Sequence, residues 1–206
     1  MSDVKKAYRL LKRALASRKA VQRVRRRLAE REPHQPEHYQ VAVYFADGDV
    51  NMYQMRQWYR PLAELSKRWP VVVLSRSATG ADKLLDEDGP PVAFVPTIRD
   101  LERFISSQDI RVVLYVNQNT RNFQMFRYGR RWHVFINHGE SDKMYMTTNQ
   151  YKAYDYALVA GQAARDRLSR TLWDWDIDRR TIEIGRPQAD HYSGCLLYTS
   201  DAADER

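Results

Sequence analysis

Trp132-His133-Val134-Phe135-Ile136, running into Asn137-His138-Gly139-Glu140-Ser141-Asp142-Lys143, is the stretch whose reading decides the fold. The first five residues are short, apolar and rich in β-branched and aromatic side chains, which predicts an interior strand. The polar cluster then lies at the strand's carboxyl end, where open α/β sheets bind their ligands. Within the run, the Trp132-His133 pair reads as core.

Working outward, further strands are expected at 40–46, 71–75, 92–95, 111–116, 156–160 and 181–185. Helical stretches separate most of them. Residues 51–68 carry Met52, Met55, Trp58, Tyr59, Leu62 and Leu65 on one face; Thr97 starts a helix to about Ser106, and Gly161 another to Leu172. Strands without strict polar alternation, alternating with helices, predict a mainly parallel sheet covered on both faces. The expected class is therefore α/β and Rossmann-like.

The cluster has chemistry of its own. His138, as an imidazole, can accept a proton from an attacking hydroxyl. Gly139 permits a sharp turn and close ligand approach. Glu140 or Asp142 would orient the imidazole, and Lys143 would hold an anion as a point charge. A second polar loop, Asn117-Gln118-Asn119-Thr120-Arg121-Asn122, follows the preceding strand, and neighbouring strands would open both loops on one rim. Its amides suit phosphate or hydroxyl oxygens, while Asn119 or Thr120 also fits an N-cap for a segment to Tyr128. Asp47-Gly48-Asp49 ends the first strand and reads as a turn. No metal is expected there. Glycine-rich phosphate loops, zinc spacings and a nucleophile elbow are absent from the sequence, which removes weight from dehydrogenase and P-loop readings.

Charge is unevenly placed. The 206-residue chain has a formal net charge of +8, yet residues 1–32 hold 12 Lys or Arg against Asp3, Glu30 and Glu32. That segment alone is +9, and the other 174 residues sum to −1. Residues 4–31 read as one helix whose narrow apolar stripe is Val4, Tyr8, Leu11 and Leu15. Such a helix suits an anionic membrane surface, where each basic residue contributes about 1 kcal/mol. A solvated arm is the plainer alternative. Nucleic acid is not an expected partner, because no recognition motif accompanies the charge. Residues 33–39, with Pro33 and Pro36, read as a linker. No apolar run reaches the ~20 residues of a membrane span, and no secretory signal is present, so the expected place is the cytoplasm, at the membrane's inner face.

The far end, Cys195 to Glu205, resembles a translated sequencing-library adapter, and residues 195–206 are set aside from fold reasoning. The native sequence is then expected to break off near Gly194 and to continue in a longer protein.

Three stretches in order carry a family likeness: the 137–143 cluster, Asp155-Tyr156-Ala157-Leu158-Val159-Ala160-Gly161, and Ile184-Gly185-Arg186-Pro187-Gln188-Ala189-Asp190. Together they resemble the CDP-glycerol glycerophosphotransferases of teichoic acid synthesis in bacterial cell walls. In that family a tryptophan-histidine-glycine-threonine motif ending in lysine precedes a strand-loop segment and a glycine-tyrosine-proline-arginine-asparagine-aspartate motif. Glu140 stands where threonine is usual, Arg186 replaces tyrosine, and Gln188-Ala189 replaces arginine-asparagine; Gly185, Pro187 and Asp190 match.

The resemblance implies a GT-B architecture, with residues 40–194 as the N-terminal, acceptor-side Rossmann-like domain and the nucleotide site mostly in a second domain. It implies transfer of glycerol phosphate from CDP-glycerol to a lipid-linked glycerol-phosphate acceptor, without a cofactor, at a membrane surface contacted by residues 1–32. His138 would be the base; Gly139, Ser141, Lys143, Asn117, Asn119 and Arg186 would hold substrate. This piece by itself would be inactive. Two other readings stand beside it: a GT-B glycosyltransferase using a nucleotide sugar, and a non-catalytic module that binds through the basic helix.

Overall fold

The computed structural model describes residues 2–31, 38–139 and 147–190. Seven strands form one sheet: β1 (Val41–Phe45), β2 (Val71–Ser75), β3 (Val92–Phe94), β4 (Val112–Tyr115), β5 (Trp132–Phe135), β6 (Tyr156–Val159) and β7 (Thr181–Glu183). Their order is β3-β2-β1-β4-β5-β6-β7, and every pairing is parallel. This is a Rossmann-like α/β fold. The winding reverses between β1 and β4, whose register pairs Val41 with Val112 and Val43 with Leu114.

Successive residues of a strand face opposite sides, so each strand feeds two cores. Ala42, Tyr44, Val72, Leu74, Val113, Tyr115 and Phe135 are buried on one face, under α5 (Ile98–Ser107) and α6 (Gln162–Thr171). Val43, Phe45, Val73, Leu114, Val116, Val134 and Ile136 are buried on the other, under α2 (Met52–Arg56), α3 (Tyr59–Ser66) and α4 (Ala78–Leu84). Apolar cover on both sides explains why the strand sequences do not alternate.

The single helix expected over 51–68 is two. A 3₁₀ turn at Asp49–Asn51 leads into α2, which ends at Arg56, and α3 begins at Tyr59. Pro61 is the cause: it has no N–H to give the carbonyl of Gln57, and its ring crowds that carbonyl. The break tucks Trp58 into the core. Helix α4 was not expected. Ser77 caps it, with the hydroxyl accepting from Gly80 N at 3.4 Å. Gly80 is needed for a close approach, since a Cβ there would meet the backbone oxygen of Asp47 at 2.4 Å. The expected helix at Thr97 begins at Ile98 with Thr97 as N-cap and Asp100 completing a capping box. Short α7 (Ile177–Arg180) leads into β7.

Helix α1 (Ser2–Ala29) forms as one unbroken element. Its last turns dock on α4: Val24 is fully buried, Arg23 and Arg27 pair with Asp82, and Arg27 also reaches Asp86 at 2.7 Å. Arg31 donates to the carbonyl of Leu85. Exposed ion pairs contribute about 0–1 kcal/mol each, whereas burying a valine is worth about 1.5–3 kcal/mol. Val24 is therefore the largest single contribution to the docking, and the arginine pairs together add a comparable amount and set the orientation. Tyr8, Leu11 and Leu15 remain 66%, 60% and 49% exposed. Residues 33–37 of the expected linker, and the 195–206 tail, lie outside the described residues; Tyr39, at the linker's end, is already core.

Trp132 corrects the reading of the Trp132-His133 pair as core: at the first position of β5 it is exposed and leans on Tyr156, with ring centroids 5.5 Å apart. His133 is buried. Its Nε2 donates to the carbonyl of Tyr128 at 3.3 Å, so Nδ1 accepts from the Tyr115 hydroxyl at 2.7 Å. Burial lowers its pKa from the usual value, an effect the Tyr128 carbonyl partly offsets. A histidine neutral in the fold but protonated in the unfolded chain contributes no penalty above about pH 6.5 and a growing one as pH falls below it. Urea unfolding should therefore show stability declining from about pH 6.5 to 5, and His133→Gln, which cannot titrate, should flatten that decline.

Candidate active site

Three loops meet at the carboxyl ends of β1, β4 and β5, beside the point where the winding reverses. Ligands in such sheets bind at that point. The β1 loop supplies Asp47, the β4 loop Asn117 and Asn119, and the β5 loop Asn137, His138 and Gly139. The expectation that the amide and histidine loops share a rim holds, because β1, β4 and β5 are direct neighbours.

His138 is fixed from one side. Its Nδ1 lies 2.8 Å from the backbone oxygen of Val116. A carbonyl only accepts, so Nδ1 carries the proton and Nε2 keeps the lone pair of the neutral ring. The tautomer a general base requires is thus set by the main chain of the neighbouring strand. Glu140 and Asp142, expected to orient the ring, lie outside the described residues; at Nδ1 the orienting group is the Val116 carbonyl. The ring edge also meets Tyr53, with centroids 5.8 Å apart.

The turn beneath the histidine is unusual. Asn137 has φ 56° and Gly139 φ 127°, both in the left-handed half of backbone space. Asparagine tolerates this better than most residues, and glycine is required at 127°. The Asn137 side-chain oxygen accepts from His138 N at 2.8 Å, and the buried Trp58 indole N–H donates to the Asn137 carbonyl. Both carry the strained turn in a single arrangement, as functional loops commonly do.

The amides are joined to Asp47. Asn117 Nδ2 donates to Asp47 Oδ2 at 2.6 Å and to Gln54 Oε1 at 2.5 Å, and Asn119 Nδ2 donates to Asp47 Oδ1 at 2.5 Å. Asn119 also caps the 3₁₀ turn Thr120–Gln124, its side chain accepting from Arg121 N at 2.8 Å. Asp47 therefore anchors an amide frame. Asn122, from the same loop, is fully buried and donates to the Asn117 carbonyl at 2.7 Å.

Among the described residues two cavities flank the Asn137–Gly139 loop. One, of about 430 Å³, is lined by Asp47, Gln54, Asn117, Asn119, His138 and Gln150 among others. It offers hydroxyl-sized donors and acceptors around one imidazole. The other, of about 1040 Å³, opens on the Gly139 side and is bordered by Arg56, Arg60 and Arg186 over an apolar floor. Asn137 lines both. Arg186 is thus separated from His138 by the loop rather than grouped with it. Ser141 and Lys143 lie outside the described residues.

Sequence reading missed Gln54, Trp58 and Gln150. Gln54, a polar residue buried beside Met52 and Met55, was the legible signal. Gln150 gives none in sequence, yet it donates to the Asn119 carbonyl at 3.1 Å. Among the described residues no three His, Cys, Asp or Glu side chains cluster as metal ligands. Comparison with known family models and with curated proteins returns no match.

The amide frame makes Asn117 sensitive to charge. Asn117→Asp would set a second carboxylate against Asp47 and remove both donated bonds, a loss of about 1–3 kcal/mol. Urea unfolding should show the deficit larger at about pH 8 than at about pH 4.5, where protonation relieves the repulsion.

Proposed function

We propose that this chain is the acceptor-side part of a transferase of the CDP-glycerol glycerophosphotransferase type. The observation that carries the reading is His138, held by the Val116 carbonyl with Nε2 as acceptor on the wall of an amide-lined cavity. A hydroxyl acceptor needs a base at that nitrogen and polar groups to position a polyol beside it. The likeness of the 137–143, 155–161 and 184–190 stretches to that family supplies the reaction.

In this reading the terminal glycerol hydroxyl of the acceptor lies in the smaller cavity and gives its proton to His138 Nε2. Its oxygen bonds to the phosphorus of CDP-glycerol next to the glycerol, the phosphoanhydride bond breaks, and CMP leaves. Asn117 and Asn119 hold the glycerol oxygens, Gly139 lets substrate approach the backbone, and Ser141 and Lys143 contact the phosphate. The donor is held mostly by a second domain. An amide-lined cavity also accommodates a sugar, so nucleotide-sugar transfer on the same GT-B plan is the second reading.

Helix α1 supports a peripheral site of action. Among the described residues no helix is long and apolar enough to cross a membrane. Exposed Tyr8, Leu11 and Leu15 on a strongly basic helix fit an anionic lipid surface through buried apolar area plus charge.

In protein expressed from the complete reading frame, His138→Ala should lower transfer from CDP-glycerol about 10²- to 10⁴-fold with unchanged thermal unfolding. Turnover near the wild-type rate would remove the assignment, and turnover with nucleotide sugars alone would favour the second reading. Vesicles containing anionic lipid should sediment the wild-type chain and largely fail to sediment Leu11→Glu/Leu15→Glu; equal sedimentation of the two would remove α1 from the surface.

A further inference from the structure

We infer that the larger cavity is a phosphate-ester subsite, taking an ester with an apolar arm on Arg60 and Arg186. This deepens the transferase reading and rests on it only for the ligand's part in turnover; the site stands on the groove itself.

Charge is distributed there in a telling way. Arg56 is committed: its Nη2 lies 2.6 Å from Glu87 Oε1 and its Nε 3.2 Å from both carboxylate oxygens. That pairing holds the Glu87 carboxyl below its usual range, and the Tyr59 hydroxyl adds a bond at 2.9 Å. Arg60 and Arg186 border the same cavity, and neither has an ion pair with a described residue. Among the described residues Asp88 is the one carboxylate on the lining. With Arg56 and Glu87 neutralising one another, two guanidinium groups face one acid. Guanidinium groups match phosphate oxygens in paired hydrogen bonds, about twice as strong as neutral ones.

The floor between them is apolar. Leu158, Ile184 and Pro187 line it and are partly exposed. Gly185 places Arg186 beside this floor by turning the chain with φ 67°, and Ala189 N closes the turn on the Arg186 carbonyl at 2.8 Å. A bare anion would leave that floor in water and an alcohol would leave the arginines unanswered. A phosphate joined to an aliphatic segment satisfies both, since each buried methylene contributes about 0.8 kcal/mol.

The site also borders the proposed base. Asn137 belongs to both cavities, so an ester seated on Arg60 and Arg186 lies across one residue from the His138 cavity. The two spaces then suit successive portions of one acceptor, hydroxyl on one side and phosphate on the other.

Titration calorimetry on the full chain tests this with hexyl phosphate, inorganic phosphate and hexanol. Hexyl phosphate should bind more tightly than either other probe. Arg60→Gln and Arg186→Gln should each weaken it about tenfold, Arg186→Lys should recover part of the loss, and Arg170→Gln on α6 should match wild type. His138→Ala should bind hexyl phosphate normally, which separates failure of this site from failure of the transfer reaction. Equal affinity of the wild type and the Arg60→Gln/Arg186→Gln double variant, or hexanol binding as tightly as its phosphate, would overturn the inference. Competition by phosphatidic acid vesicles against the Leu11→Glu/Leu15→Glu background marks a lipid as the ester's source, and lack of competition marks a soluble one.

Discussion

The parallel pairing of β1 with β4 is the constraint on which the rest of the structure depends. Because β2 and β3 lie to one side of β1 while β5 to β7 lie beyond β4, the connections leave the two central strands in opposite directions. The loops after β1 and β4 have to part, and the parting exposes Asp47, Asn117 and Asn119 to one another. Polar side chains at the end of a buried sheet are costly unless hydrogen-bonded. Here each satisfies the others, so the crevice is preorganised before any ligand enters.

The β5 loop adds a reactive group to this frame. Val116, one residue past β4, is buried as a side chain and functional as a carbonyl. Among the described residues the group that meets Nδ1 of His138 is this main-chain carbonyl and not a carboxylate. Trp58 contributes from the other side of the loop, and it does so because Pro61 breaks the helix where the indole turns inward.

All seven strands were legible, to within two residues at most ends, because apolar runs flanked by Gly, Pro and polar clusters leave few other interpretations. The class followed from strands that do not alternate. What escaped was decided by tertiary contact. Helix α4 is seven residues with a glycine inside it, which argues against a helix until the Asp47 carbonyl is seen against Gly80. The split of 51–68 was legible in Pro61 and was overridden by a continuous apolar face. In the site, His138, Asn117 and Asn119 announced themselves by composition at strand ends. Gln150 reaches the same frame from a 3₁₀ turn distant in sequence, and no local pattern encodes that reach. Arg186 was singled out through its motif, but nothing local tells that the Asn137 loop walls it off from the histidine.

Helix α4 joins two parts of the molecule that seem unrelated. Near its start Gly80 rests against the Asp47 backbone, and further on Asp82, with Asp86 just past the helix end, receives the arginines of α1. Fewer than two helical turns separate these contacts. The angle between α1 and the mouth of the amide-lined cavity is therefore fixed by one short rigid rod, so the two can only tilt together.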